Sequence, residues 1–206
     1  MTRPLLITDC DEVLLHMVSH FGAWLDEDHA IDFAMTATDF AGSLTRRDCG
    51  TALAREEVWP LLDGFFQTEM DRQTLVPGAA EALARLSETA DVVVLTNLRD
   101  EHQEARAEQL RALGIEFPVF TNQGGKGEPV VRIVAQYAPS ITVFVDDLPQ
   151  HHNSVSRHAP DVWRLHMIAE PMLAERMPPA PDAHARIDDW VSASAWIADR
   201  FAGKPL

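Results

Sequence analysis

The sequence predicts a doubly wound α/β domain, in which helices cover both faces of a parallel sheet, with a small helical insertion after the first strand. Short continuous apolar runs alternate with amphipathic patterns along most of the chain, which is typical of strands buried on both faces of such a sheet. Residues 16–74 break this alternation, because they contain helical patterns and no convincing strand. We therefore expect a core domain formed by residues 1–15 and 75–206, and a helical cap formed by residues 16–74.

The strands of the core are predicted from apolar runs rich in valine and isoleucine, and the helices from apolar residues three or four positions apart. The predicted strands are 4–9, 91–96, 141–147, 162–167 and 185–187. The predicted core helices are 79–88, 101–113, 129–137, 150–157 and 189–201. In the cap we expect helices at 17–25 and 51–66, linked by the polar stretch 42–50.

Length and composition restrict the possible functions. A chain of 206 residues can form one buried core with a modest insertion, and its formal charge of −15 argues against binding of a nucleic acid polymer. No apolar run approaches the roughly 18 residues of a membrane span, and no export signal is visible, so we expect a cytoplasmic protein without membrane association. Cys10 and Cys49 are expected to be reduced.

Polar residues suited to phosphate chemistry follow three of the predicted strands. Asp9 and Asp11 follow the first, Thr96-Asn97 ends the second, and Asp146-Asp147 ends the third. Because sites in parallel α/β sheets form at the carboxyl ends of strands, we expect these side chains to meet at one edge. Lys126, in the glycine-rich stretch 124–127, is a candidate cation for the same site.

These residues, in this order, resemble the four motifs of the haloacid dehalogenase-like (HAD) hydrolases. The resemblance covers roughly Leu5 to Asn153, and its most specific parts are Asp-x-Asp-x-Val, from Asp9 to Val13, and the pair Asp146-Asp147. It implies a phosphatase with a Rossmann-like core and a cap. True dehalogenases of the family lack a carboxylate at the position of Asp11, so that activity is not expected.

The resemblance also implies roles for the site residues. Asp9 is expected to attack phosphorus and form an aspartyl-phosphate, and Asp11 to protonate the leaving oxygen and then activate water. Thr96 and Lys126 are expected to bind the phosphate and assist catalysis, with Asn97 as a further substrate contact.

Magnesium is the cofactor that the resemblance implies. It would be held by the carboxylates of Asp9 and Asp146 and by the backbone carbonyl of Asp11, since hard oxygen ligands favour this ion. Asp147 is expected to bind the metal through water or to orient Lys126. The metal and the lysine would offset the negative charge of the site.

Some residues have no counterpart in the family motifs. Glu12 stands where the commonest phosphatases of the family have glycine, in the segment that leads to the cap. His151 and His152 are expected to be solvent-exposed, because adjacent histidines on a helix diverge. Arg46 and Arg47 are candidate substrate contacts, because guanidinium groups bind phosphate well; pairing with nearby acids is the alternative.

The expected substrate is a small phosphomonoester, since a cap over the site excludes large molecules. The main alternative is a catalytically silent phosphate-binding or protein-interaction module with the same pocket. A receiver domain has similar residues, but there the acidic pair follows the first strand and the phosphorylated aspartate lies on a later one. A phosphonate hydrolase of the family needs a cap lysine, and residues 16–74 contain no lysine.

Overall fold

The structure is a computed structural model that describes residues 2–34 and 40–204. Numbered in chain order, its strands are β1 (Leu5–Thr8), β2 (Leu15–His16), β3 (Ile31–Phe33), β4 (Leu44–Arg46), β5 (Thr74–Leu75), β6 (Asp91–Thr96), β7 (Val119–Thr121), β8 (Thr142–Asp146), β9 (Trp163–His166) and β10 (Ala185–Arg186). The helices are α1 (Val18–His29), α2 (Arg55–Thr68), α3 (Ala79–Ser87), α4 (Gln103–Ala112), α5 (Gly127–Tyr137), α6 (Pro149–His158), α7 (Pro171–Ala174) and α8 (Trp190–Phe201). None of the helices in these ranges is long and apolar enough to cross a membrane.

Six parallel strands form the central sheet, in the order β10-β9-β8-β1-β6-β7. β1 lies between β6 and β8, so that Leu5 pairs with Asp91 on one side and with Thr142 on the other. The sheet extends from β1 in both directions, which creates a crevice at the carboxyl ends of the strands next to β1. The predicted doubly wound α/β fold is confirmed.

Helices cover both faces of the sheet, because successive strand residues point to opposite sides. Leu6 and Val94 pack on one face with residues of α3, α4 and α8. Ile7 and Val93 pack on the other face with residues of α5 and α6. The edge strand β7 was not predicted, because it has only three residues and no repeating pattern can be detected over that length.

The cap lies between β2 and β5 and has an aromatic core of its own. Phe21 and Trp24 of α1 pack with Phe65 and Phe66 of α2 in this core. The prediction that the cap contains no strand is wrong, since β3 and β4 pair antiparallel, with Asp32 opposite Thr45. Each of these strands has only three residues, and β4 lies within the polar stretch 42–50 that was predicted to be a linker.

A short antiparallel pair joins the cap to the core. Leu15 of β2 lies opposite Leu75 of β5, so the chain enters and leaves the cap at one place. The two cysteines lie in different surroundings: Cys10, beside the end of β1, is buried, and Cys49, in the turn after β4, is exposed. Both are free thiols.

Candidate active site

The carboxyl ends of β1 and β8 bring Asp9 and Asp146 together, with Lys126 between them. The Nζ atom of Lys126 lies 2.7 Å from Oδ1 of Asp9 and 2.7 Å from Oδ2 of Asp146. Backbone groups complete the cluster, since the N–H of Cys10 donates to Asp9 at 2.7 Å and the N–H of Leu148 donates to Asp146 at 2.9 Å. Three of the residues that the sequence predicted for the site are therefore in direct contact.

The burial of this cluster changes its protonation equilibria. Burial raises the pKa of Asp9 to about 7, although Lys126 acts in the opposite direction. Burial also acts on Asp146, but Lys126 outweighs it and holds the pKa of that carboxyl below its usual range. Burial lowers the pKa of Lys126, yet the neighbouring carboxylates of Asp146 and Asp9 raise it overall. Lys126 is therefore charged at neutral pH and mainly supports the ionised form of Asp146.

Asp147 adds a third carboxylate to the same place. Carboxylate oxygens of Asp9, Asp146 and Asp147 lie within 4.8 Å of one another. Burial and the charges of Asp146 and Asp9 raise the pKa of Asp147 well above its usual range. One lysine does not offset three carboxylates. This set of hard oxygen donors, buried at Asp9 and Asp146 and partly buried at Asp147, is short of positive charge and fits a magnesium ion.

Thr96 and Asn97, at the end of β6, differ in their surroundings. The hydroxyl oxygen of Thr96 is buried and has no hydrogen-bond partner within the described residues. A buried hydroxyl without a partner costs free energy that a ligand can recover, so Thr96 is available to a phosphate oxygen. Asn97 is exposed, and its Nδ2 donates to the carbonyl of Gly124 at 2.9 Å. This hydrogen bond stabilises the loop that carries Lys126.

Asp11 lies beyond the end of β1, within a tight turn. The carbonyl of Cys10 accepts the N–H groups of Leu14 and Leu15 at 2.7 and 2.9 Å, so the chain leaves the strand direction directly after Asp9. The carboxylate of Asp11 accepts from Nε2 of Gln73 at 2.7 Å. Its other hydrogen-bond donor is an arginine that was not predicted from the sequence.

That arginine is Arg106, on α4. Its Nη2 donates to Asp11, and its Nη1 lies 3.1 Å from Sγ of Cys10. Its guanidinium also lies over the ring of Phe66 in the cap, 5.5 Å from the ring centre. Arg106 is fully buried. The signal in the sequence was its place four residues before Leu110, on the buried face of a predicted helix.

Glu12 connects the loop after β1 to the cap. It is only 2% exposed, and its backbone has a φ of 59°, in the left-handed region that favours glycine. Its Oε1 accepts the N–H groups of Met17 and Val18 at 2.8 and 2.7 Å, and its Oε2 accepts the N–H of Glu170 at 3.2 Å. Burial raises the pKa of Glu12 to about 7. These bonds fix the start of α1, which explains how a glutamate is held at a position suited to glycine.

Arg46 and Arg47 lie on the exposed part of the cap. Arg46 pairs with Glu57, while Arg47 pairs with Asp26 and Asp32. Within the described residues, none of the hydrogen bonds or ion pairs of these arginines reaches the strand-end residues. The structure therefore places the two arginines in contact with local acids.

The prediction that His151 and His152 are solvent-exposed is wrong, because they are only 3% and 0% exposed. Nε2 of His152 bonds to the backbone carbonyl of Asp146 at 2.9 Å, and Nε2 of His151 lies 3.4 Å from Nδ2 of Asn97. The physical reason is their spacing from Val155, the buried apolar residue of α6. His151 and His152 precede it by four and three residues, which places both on the buried side of the helix.

The cap is closed over the strand ends. Leu98, two residues after Thr96, packs into the aromatic core of the cap. Asp63 of α2 lies 3.2 Å from Arg99 and 3.4 Å from His102, both in the core domain. In this arrangement Asp9 is 6% exposed, and Thr96, Lys126 and Asp146 are fully buried.

In comparisons of sequence, neither a protein-family model nor a curated protein matches the chain. Solved structures match it over nearly its full length. A haloacid dehalogenase-like family hydrolase from Streptococcus pneumoniae superposes with a TM-score of 0.66 at 11% identity, covering 94% of this chain and 97% of that one. YfnB from Bacillus subtilis, assigned to the HAD hydrolases and bound to magnesium, gives 0.65 at 14% identity, covering 96% and 99%. A HAD family hydrolase from Deinococcus radiodurans with bound phosphate and sodium gives 0.59 at 14% identity, covering 95% of each chain.

The matches cover at least 94% of this chain, so they include both its sheet and the insertion after its first strand. The chain therefore has the fold of the haloacid dehalogenase-like hydrolases, as the motif resemblance predicted.

Proposed function

We propose that this chain, which has the HAD-like hydrolase fold, is a magnesium-dependent phosphatase that hydrolyses a small phosphomonoester through an aspartyl-phosphate on Asp9. The observation that carries the proposal is the direct contact of Lys126 with Asp9 and Asp146 at the carboxyl ends of β1 and β8, with Asp11 two residues beyond the nucleophile. Magnesium in one protein of this fold and phosphate in another support the assignment.

In the first step, a carboxylate oxygen of Asp9 attacks the phosphorus atom, and the bond between phosphorus and the leaving oxygen breaks. Asp11, which must be protonated when the substrate binds, donates its proton to that oxygen, so the product leaves as an alcohol. The hydroxyl of Thr96, which has no hydrogen-bond partner among the described residues, donates to a phosphate oxygen. Lys126 offsets negative charge on the transferring group.

In the second step, Asp11 acts as a base. Its carboxylate takes a proton from a water molecule whose oxygen attacks the phosphorus of the aspartyl-phosphate. The bond between phosphorus and the Asp9 oxygen breaks, inorganic phosphate is released, and both aspartates return to their starting forms. Arg106 and Gln73 hold the Asp11 carboxylate by hydrogen bonds in the free protein.

The carboxylates of Asp9, Asp146 and Asp147, with the backbone carbonyl of Asp11, would hold the magnesium ion. When bound, the ion supplies positive charge against three carboxylates and a phosphate dianion. In its absence the pKa of about 7 leaves Asp9 only partly ionised at neutral pH, and a protonated carboxyl group is a poor nucleophile. We therefore expect a chelator to abolish turnover.

The substrate is proposed to be a small phosphorylated metabolite, because the closed cap buries the strand-end residues. Asn97 is proposed to contact the substrate from its exposed position. Substrate binding by Arg46 and Arg47 remains a prediction, and it requires their pairs with local acids to open.

The experiment is phosphate release from a panel of phosphomonoesters, with magnesium and with chelator, by wild type, Asp9→Asn and Asp11→Asn. We expect metal-dependent turnover that both substitutions abolish. A catalytically silent module would bind magnesium and inorganic phosphate without turnover. Folded protein with magnesium bound that releases no phosphate from any panel member would overturn the phosphatase proposal in favour of that module.

A further inference from the structure

We propose that His152 and His166 are positioning residues for the metal site, which hold the Asp146-Asp147 backbone through its two successive carbonyl groups. The inference rests on the proposed metal-dependent phosphatase function and extends it to residues outside the four motifs. Neither histidine contacts the carboxylate oxygens themselves within the described residues.

The two histidines approach the aspartates from different elements. His152 lies in α6, and its Nε2 is 2.9 Å from the carbonyl oxygen of Asp146. His166 ends β9, and its Nε2 is 2.8 Å from the carbonyl oxygen of Asp147. Because a carbonyl oxygen only accepts, the N–H of Nε2 is the donor in both bonds. Both histidines are fully buried.

The rings themselves are held in one orientation. Nδ1 of His166 accepts the N–H of Ala180 at 3.0 Å, so both nitrogens of this ring are bonded and its tautomer is set. The ring of His152 packs against Phe144 and against His166, with ring centres 5.7 and 5.4 Å apart. The two donors are therefore rigid, which is what a group needs in order to position another group.

Asp147 depends on this support more than Asp146 does. The carboxylate of Asp146 is bonded to Lys126 and to the N–H of Leu148, and its carbonyl also accepts the N–H of Met167 at 3.1 Å. The carboxylate of Asp147 makes no hydrogen bond or ion pair with the described part of the chain. Its direction is therefore set by its backbone, which His166 holds.

A purely structural role would be served better by apolar side chains. Burying an imidazole costs free energy unless its N–H has a hydrogen-bond partner. Here both N–H groups donate to the backbone carbonyls of the proposed metal ligands, Asp146 and Asp147. Groups that orient metal ligands in this way commonly change metal affinity about 10–100-fold when they are removed. We therefore expect the histidines to set the magnesium affinity of the protein.

The experiment is magnesium binding to the full chain without substrate, measured by calorimetry. His152→Phe and His166→Phe keep the ring volume and remove the donor, while His152→Gln keeps an N–H at a similar reach. His184→Phe is the matched control, because His184 is a partly buried histidine that bonds to the N–H of Arg164 and not to the two aspartates. We expect the magnesium Kd to rise about 10–100-fold in both phenylalanine variants, to recover in His152→Gln, and to be unchanged in the control.

Wild-type magnesium affinity in both phenylalanine variants would overturn the proposal. If the wild type itself binds no magnesium, the metal-dependent function fails, and this inference fails with it. If the phenylalanine variants do not fold, His152→Gln is compared with His152→Asn, whose shorter amide does not reach the Asp146 carbonyl. Weaker magnesium binding by His152→Asn than by His152→Gln would support the proposal. Equal magnesium binding by these two variants would overturn it.

Discussion

Arg106 donates to both carboxylate oxygens of Asp11, at 3.1 and 3.3 Å, although 95 residues separate the two along the chain. A single nitrogen, Nη2, makes both contacts, and Gln73 adds a third hydrogen bond to the same carboxylate. Asp11 is the residue proposed to transfer protons in both chemical steps. The position of this acid is therefore set by a buried arginine on α4, outside the four family motifs.

Replacing Arg106 by methionine is expected to lower kcat/KM about 10²-fold, because a misplaced acid transfers its proton poorly. The loss should be larger for an alkyl phosphate, whose alkoxide needs a proton, than for an aryl phosphate with a good leaving group. The measurement is kcat/KM for one substrate of each kind. Arg111→Met, on the same helix but exposed, is the control, and it should change neither value. Equal losses on both substrates would show that Arg106 acts on stability or binding alone.

Asp11→Asn is expected to accumulate the aspartyl-phosphate when it is given an activated aryl phosphate. Attack by Asp9 on such a substrate needs little help from an acid, whereas hydrolysis of the intermediate needs the base that the substitution removes. Acid quenching followed by mass spectrometry should detect the mass of one added phosphoryl group on the peptide that contains Asp9. Asp9→Asn should remain unmodified. Phosphorylation at any other residue would contradict the assignment of the nucleophile.

Lys126→Met is expected to reduce the free energy of unfolding by about 3–5 kcal/mol in the presence of a chelator, because it leaves the buried Asp9 and Asp146 without their cation. Denaturant unfolding measures the change. Lys204→Met removes the only other lysine of the chain, which forms an exposed pair with Asp199, so a change below about 1 kcal/mol is expected there. Similar effects of the two substitutions would mean that the central lysine does not stabilise the cluster.

Glu12 makes the stability of the protein depend on pH. Burial raises its pKa in the folded state to about 7, from an ordinary value of 4.5, so between these pH values the folded state binds more protons than the unfolded state. The contribution of Glu12 to the free energy of unfolding therefore falls as pH rises through this range, by up to about 3 kcal/mol. Glu12→Gln should remove this contribution and leave those of Asp9 and Asp147, whose pKa values burial also raises. Unfolding of both proteins is measured from pH 4 to pH 8 with chelator, and parallel profiles would refute the prediction.

The sheet could be predicted from the sequence because each of its central strands is an unbroken apolar run. The run 91–96 became β6 with the predicted bounds, and the run 141–147 contains β8. The hairpin β3–β4 and the edge strand β7 were missed, because three residues show no period that separates a strand from a loop. Tertiary contacts, and not local propensity, form these short strands.

The site residues, like the strands, could be predicted where the signal is local and were missed where it depends on tertiary contacts. Asp9, Lys126 and Asp146 could be named from the sequence, because each adjoins an apolar run or a glycine-rich loop and the parallel sheet brings strand ends together. Arg106, His152 and His166 could not be assigned roles, since each acts through a contact with a distant segment. Only their place on a buried helix or strand face signalled that a polar group would need a partner there.

The two thiols of the chain differ in chemical reactivity. Cys10 is buried, and burial raises its pKa to about 12, so it forms almost no thiolate at neutral pH. Cys49 is exposed, in the turn after β4 of the cap. A maleimide fluorophore should therefore attach to Cys49 alone and leave Cys10, beside the proposed nucleophile, unmodified. The unaltered protein thus carries a single labelling position on the cap, so a movement of the cap relative to the core can be followed by fluorescence without introducing a cysteine.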